Sequence, residues 1–321
     1  MAVYCIKRFI QMIVVLILVS IIVFLMVNML GDPTTLLLPE DASQQELEAA
    51  KRAMGLDKPA IEQYRLFIVR LLHGDFGMSF RFREPAIGLI LERMPATLEI
   101  VVLAMIIAAV VAIPLGVYVG AHPKAFSSRL ILSSSLLGIS MPTFWFGIIL
   151  VLLFAVHWGV LPSSGRGEVV EVWGMRLSFL TADGIKHMIL PSITLAVQQI
   201  ATQLRLTRAG IMEVLLQDYI KFAKAKGVSP KNVLYGHALK NALIPVVTVC
   251  GLEFGGLVVF ATITETIFAW PGMGKLLIDS INVSDRPVII AYLLMASLLF
   301  VVINFIVDVL YTVIDPRIDL R

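Results

Sequence analysis

Apolar residues in this chain gather in long runs rather than in alternation. Six stretches approach or exceed the length of about 20 apolar residues that crosses a bilayer as a helix. They cover 9–30, 97–120, 131–158, 188–204, 242–270 and 288–311. Gln198, Gln199 and Gln203 interrupt the fourth, which predicts a helix facing protein or water rather than lipid. The first run follows Lys7-Arg8 but is longer than the core of a secretory signal, and no small-residue cleavage pattern follows it. It reads as a retained span. The pattern predicts an all-α integral membrane protein with six transmembrane helices. One part would be 1–96, the first span with a helical external loop. The other would be 97–321, a five-helix core.

Two connections carry structure of their own. In the first, Ser43-Gln44-Gln45-Glu46 has the spacing of a capping box, so a helix is expected to Met54 with Gly55 as its stop. Pro59 is placed to start a second helix carrying Ile61, Tyr64, Phe67 and Leu71, ending near Gly74. Phe80-Arg81-Phe82-Arg83 alternates like a short extended piece. This loop reads as a packed cap or as a docking surface. In the second connection, 205–241, the pattern predicts a helix from Ile211 to Ala225. Leu215, Leu216, Tyr219, Phe222 and Ala223 would share one face, with Gln217, Asp218, Lys221 and Lys224 opposite. Gly227 would end it, and Ser229-Pro230 would cap and start another helix toward Pro245. Such a unit suits either the membrane surface or the groove of a partner protein.

Composition narrows the class. The chain of 321 residues is 58% hydrophobic and 15% charged, against about 45–50% and about 25% for soluble domains. An ordinary soluble enzyme, a disordered tail and a nucleic-acid binder are excluded. Charge sets the orientation. The segments 1–8, 121–130, 205–241 and 312–321 together carry a net charge of +9, and 31–96, 159–187 and 271–287 together −2. Both termini are therefore expected in the cytoplasm. Four carboxylates remain within the runs: Glu99, Glu253, Glu265 and Asp308. Glu99 and Asp308 lie near run ends, within reach of headgroups. Glu253 and Glu265 share the fifth run, as satisfied polar groups or as a substrate or ion site. Pro142 and Pro245 each remove a helical hydrogen bond, and are expected to bend the third and fifth spans. Cys5 and Cys250 make no framework, no cysteine–histidine cluster suggests a metal, and no Gly-rich phosphate loop occurs.

One set of motifs points further. Asp218-Tyr219-Ile220-Lys221-Phe222-Ala223-Lys224-Ala225-Lys226-Gly227, followed by His237-Ala238-Leu239-Lys240-Asn241-Ala242-Leu243-Ile244-Pro245, resembles the inner loop of the dipeptide/oligopeptide permease family. These are membrane subunits of bacterial ATP-binding-cassette importers of type I. Met54 to Pro59, Gly74 to Ser79, Ser140 to Trp145, Glu265 to Gly274 and Asp315-Pro316-Arg317 are similar to the same family, in the same order. The resemblance implies a permease of the inner membrane that works with a second related permease, two cytoplasmic ATPases and an external binding protein. It implies no cofactor in this chain, with ATP and Mg on the partners. It makes 205–241 the coupling loop, with Leu215, Asp218, Tyr219, Phe222, Ala223, Ala225 and Gly227 toward the ATPase. Lys221 and Phe222 stand where the general pattern has Glu and Ala. Pro142, Trp145, Pro245, Glu253 and Glu265 are candidates for the translocation path or its gating. The rival reading is a stand-alone proton-coupled carrier using Glu253 and Glu265.

Overall fold

A computed structural model describes residues 2–29, 43–54 and 57–314. The expected stop at Gly55 and the Asp315-Pro316-Arg317 motif lie outside the described residues.

Helix α1 (Ala2–Met29) is the first run. The capping box forms as expected: Ser43 N–H donates to Glu46 Oε2 at 2.8 Å, and Glu46 N–H donates to Ser43 Oγ at 3.3 Å. It opens α2 (Gln44–Met54). The Ser43 backbone N–H, and then its hydroxyl, hold the Glu46 carboxyl below its usual range. Helix α3 (Ala60–Leu72) follows Pro59 and packs on α1. Tyr64 Oη meets Ser20 Oγ at 2.8 Å, and Phe24 lies between Tyr64 and Phe67 at centroid distances of 5.3 and 5.7 Å. Gly74, at φ +76°, ends α3: Gly74 N–H bonds Leu71 O and Asp75 N–H bonds Arg70 O, the paired closure of a left-handed C-cap. Phe80 to Phe82 form a turn, not an extended piece. The buried Asp285 carboxylate accounts for this, since it accepts from Ser79 Oγ and from the N–H groups of Phe80 and Arg81.

Helix α4 (Ala86–Ala121) is 36 residues long, about 54 Å. The expected part boundary at 96/97 falls inside it. Its buried face, from Ala86 through Ala104 to Gly120, packs along α7 (Ala182–Val214). Gly116 and Gly120 permit this approach, because a Cβ there would lie 2.6 and 2.8 Å from Thr207 and Ile211. The third expected run is not one straight helix. Helix α5 (Phe126–Ser140) breaks at Met141-Pro142, and α6 (Thr143–Leu150) continues as a π-helical turn, Val151–His157. The two parts meet at 104°. Met141 takes an extended ψ of 130°, the conformation imposed on a residue before proline. Pro142 therefore breaks the helix rather than merely bending it.

An all-α fold was expected, but β1 (Val170–Val172) and β2 (Met175–Leu177) form a short antiparallel hairpin. After α7 come α8 (Asp218–Ala225), a π-helical turn (Asn232–Ala238) running into α9 (Leu239–Phe260), α10 (Thr262–Ile267), α11 (Met273–Asn282) and α12 (Arg286–Ile314). Pro245 sits inside α9 and does not interrupt it. The fifth run thus ends at Phe260, and Glu253 and Glu265 fall on different helices.

Among the described residues, four helices are long and apolar enough to cross a membrane, within α1, α4, the π-turn–α9 unit and α12; counting the bent α5–α6 pair as one span gives five. Helix α7, the fourth expected run, falls below that apolarity yet is a central strut. Gln199 and Gln203 are buried as expected of a protein-facing helix, whereas Gln198 is exposed.

Candidate functional site

The connection 205–241 differs from its expected form at its start. Residues 211–214 are the last turn of α7, and a separate helix begins at Asp218. The single face expected of Leu215, Leu216, Tyr219, Phe222 and Ala223 is divided. Leu215 is half-buried against a cluster of Val117, Ile211, Ile220, Val233, Ala238 and Ala242. Ile220 is the fully buried anchor of α8, and the periodicity did not single it out. Leu216, Tyr219 and Phe222, 74%, 44% and 60% exposed, point out of the chain at three-residue spacing. Ala223 is half-buried, while Ala225 and Asp218 are exposed. Asp218 pairs with Lys221 at 2.8 Å. The aromatic face is braced: Asn241 Nδ2 donates to Tyr219 Oη at 2.7 Å, and Lys226 Nζ lies 4.5 Å from the Phe222 ring centroid.

Gly227 has φ +81°. Its N–H bonds Lys224 O and Val228 N–H bonds Ala223 O, so α8 closes with the same left-handed cap as α3. No atom lies within 4 Å of the place a Cβ would take. Backbone conformation, not space, selects glycine here. Ser229 and Pro230 then start the next helix, with Asn232 N–H donating to Ser229 Oγ at 3.4 Å. An arm held to the bundle by one buried isoleucine offers two aromatic rings outward.

The candidate path residues do not form one cluster. Trp145, 47% exposed, lies one turn after the Pro142 break. Pro245 is exposed on α9. Glu265 is fully buried. Its Oε1 accepts from Thr97 Oγ1 at 2.6 Å, and its Oε2 from Lys275 N–H at 2.9 Å. The carboxylate stands over the first turn of α11, where free N–H groups favour an anion. Thr97 Oγ1 also accepts from Met273 N–H at 2.9 Å, and Trp270 Nε1 donates to Ala96 O at 2.8 Å. This explains the run from Glu265 to Gly274: the acid caps the next helix, the indole fastens to α4, Gly272 gives the acid room, and Gly274 lets Thr262 approach. A Cβ on Gly272 would lie 2.2 Å from Glu265 Oε1, and one on Gly274 2.4 Å from Thr262 Oγ1. Glu265 is thus enclosed and fully engaged.

Glu253 is different. Its Oε2 is buried without a hydrogen-bond partner among the described residues, as are Oε1 of Gln199 and both amide atoms of Gln203. Helices α7 and α9 touch closely at Gly210 and Ala242, where a glycine Cβ would lie 3.1 Å from the alanine. Gln199 and Glu253 are each eleven residues from that contact, about 20° from three full turns. The two residues thus stand at equal distances along their helices from the Gly210–Ala242 contact.

Two carboxylates expected near headgroups have protein partners. Asp308 pairs with Arg8 at 3.3 Å. Glu99 is buried, accepting from Arg166 Nη2 at 2.8 Å and from Ser178 N–H and Oγ at 2.6 Å each. Arg166 also donates to Arg176 O and lies 5.8 Å from the Trp270 ring centroid. Removing one partner of such a pair costs about 3–5 kcal/mol. Arg166 and Asp285 escaped sequence reasoning because their partners lie 67 and about 205 positions away.

Comparison with known proteins places these features. Residues 112–320 match the binding-protein-dependent transport system inner membrane component, and residues 1–101 match the N-terminal family of such membrane components. The chain is 39% identical over 319 residues to the dipeptide transport system permease protein DppB of Escherichia coli (strain K12), covering 94% of each. It is 39% identical over 316 residues to the glutathione transport system permease protein GsiC of the same strain, covering 98% of each. Its fold is similar to a chain of the MetNI methionine ABC transporter in an inward-facing form, with a TM-score of 0.52 at 15% identity, covering 71% of this chain and 96% of that one.

Proposed function

The chain belongs to the binding-protein-dependent transport system inner membrane component family, and from that premise we infer that it is the transmembrane permease subunit of an ATP-driven importer for peptides or similar small solutes. Within its multi-pass inner-membrane setting, α7 completes six spans and both termini face the cytoplasm. The chain forms half of the path and a second, related permease forms the other half. Two cytoplasmic ATPases hold ATP and Mg, and an external binding protein delivers solute; this chain carries no cofactor and no enzymatic activity. Its two parts, 1–96 and 97–321, join within the continuous helix α4.

The observation that carries this reading is the aromatic face of α8. A hydrophobic anchor exposed beside a helix-ending glycine is what a partner's groove receives. ATPase closure would push α8, and Ile220 would pass that push into the cluster at the feet of α4, α7 and α9. The α5–α6 break and the α7–α9 contact would be the elements that rearrange as the permease pair alternates between openings. The proton-coupled carrier finds no support: Glu265 is capped and enclosed, and Glu253 lies on another helix.

Membrane vesicles reconstituted with the permease pair, ATPases and binding protein test the function. Uptake is expected to require ATP and the binding protein and to persist when a proton gradient is collapsed. Uptake by this chain alone, driven by a proton gradient, would restore the carrier. Orientation has its own test. A cysteine at Ser229 is expected to react with an impermeant thiol reagent only from the cytoplasmic side, and one at Ser43 only from outside. The reverse pattern would invert the topology.

A further inference from the structure

The β1–β2 hairpin sits on the bundle end that holds Glu99, and nothing in the coupling mechanism uses it. Its tip is Trp173-Gly174, both at positive φ, 52° and 77°, the sharp two-residue turn that suits a twisted hairpin. Register places Val170, Val172, Met175 and Leu177 on one face and the pair Glu171–Arg176 on the other. Arg176 Nη1 reaches Glu92 of α4 at 3.2 Å. Val170 and Met175 are each 42% exposed, and Trp173 is 92% exposed. Trp173, Met175 and Val170 together make an exposed apolar patch at the end of a fixed hairpin, and such a patch marks an interaction surface.

Height identifies the partner. From Ile100 to Ala121, α4 carries no charged residue over 22 positions, about 33 Å and so one hydrocarbon thickness. Glu99 therefore marks the edge of the hydrocarbon. Ser178, the residue after β2, bonds Glu99, so the foot of the hairpin is fixed at that edge. The hairpin and α4 share a hollow lined by Leu91, Glu92, Pro95, Glu171, Met175 and Arg176. Pro95 and Leu91 stand about 6 and 12 Å above Glu99, in and just over a headgroup layer about 5–8 Å deep. Further along α4, Val102, Ile106 and Val110 form an exposed apolar stripe.

We propose that the hairpin is a membrane-interface anchor, with Trp173 seated among phospholipid headgroups beside α4. Tryptophan is the residue enriched at that depth, having an apolar body and one N–H donor. The lipid holds the hairpin, and Ser178 and Arg176 hold Glu99, Arg166 and Glu92 against it, which fixes the loop over the bundle. This inference rests on the membrane setting of the chain and not on how transport is driven, so it can fail while ATP-dependent uptake stands.

The test is photo-crosslinking in inner membranes that contain the assembled importer. A benzophenone amino acid replaces Trp173 in one variant and Val110 in another, and adducts are identified by mass after irradiation. The expected result is a mass increase of one phospholipid at both positions. A protein-sized adduct at 173, from the binding protein or the second permease, would overturn the proposal. So would a second-permease adduct at 110, which would make that face a subunit interface, or no adduct at 173 while 110 captures lipid.

Discussion

Gly272→Val is expected to leave little assembled protein in the membrane. The new Cβ would stand 2.2 and 2.5 Å from the two carboxylate oxygens of Glu265, and that carboxylate has nowhere to go. Thr97 holds one oxygen at 2.6 Å and the Lys275 N–H holds the other at 2.9 Å. Overpacking a filled site costs about 1–3 kcal/mol, and tearing a buried carboxylate from its donors adds a similar amount. Together these approach the roughly 5–15 kcal/mol that holds a domain folded. Glu265→Leu should be nearly as damaging, because it leaves the Thr97 hydroxyl and the Lys275 N–H unpaired. Glu265→Gln should be milder: its oxygen keeps the bond from Lys275 N–H and its amide donates to Thr97 Oγ1, so only the Thr97 hydroxyl proton loses its acceptor. Yield of monodisperse detergent-extracted complex, with its melting temperature, is the measurement. The severe variants should fall by about 10 °C or more. A Gly272→Val protein that extracts and melts like the parent would show that the acid does not set the packing there.

Phe222→Ala should separate assembly of this chain from its coupling. The ring contributes nothing to the chain's own core, since it is 60% exposed, so melting of the permease alone should not move. Truncating an aromatic anchor in a partner's pocket costs about 2 kcal/mol or more, roughly a 30-fold weaker hold on the ATPase. Ile220→Ala inverts this pattern. It empties a fully buried site and should lower the stability of the chain itself by about 2–5 kcal/mol. Gly227→Val forces a β-branched residue into a left-handed conformation at φ +81°, where most L-residues lose roughly 1–2 kcal/mol. It should release the cap and misdirect the helix that follows, whereas Gly227→Asn should be tolerated. Lys224→Ala, on an exposed position, should be near neutral. Copurifying ATPase, ATP hydrolysis and solute uptake are the three readouts. If Phe222→Ala and Gly227→Val both retain ATPase and transport like the parent, α8 is a surface helix and the coupling assignment fails.

The sequence alone determined the apolar spans and the helix caps, which depend on neighbours within a turn or two. Apolar run length marked the spans because a helix closes its backbone bonds internally and about 20 residues match the hydrocarbon thickness. The capping box at Ser43 and the left-handed stops at Gly74 and Gly227 were legible because each closes bonds over a few residues. The motifs from Asp218 to Gly227 and from Glu265 to Gly274 pointed to the permease family on the same local terms. Tertiary structure decided what required a distant partner. Periodicity gave an apolar side to the 211–225 stretch but could not divide it, since Ile220 is buried by Val117, Val233 and Ala242, all outside that stretch. Composition placed Glu99 and Glu265 in membrane-length runs, yet Arg166 and Ser178 come to one, and Thr97 and Lys275 to the other, from separate elements. Pro142 announced a disturbance, but its 104° break is an angle set by packing, because a proline removes a hydrogen bond without specifying where the next helix goes.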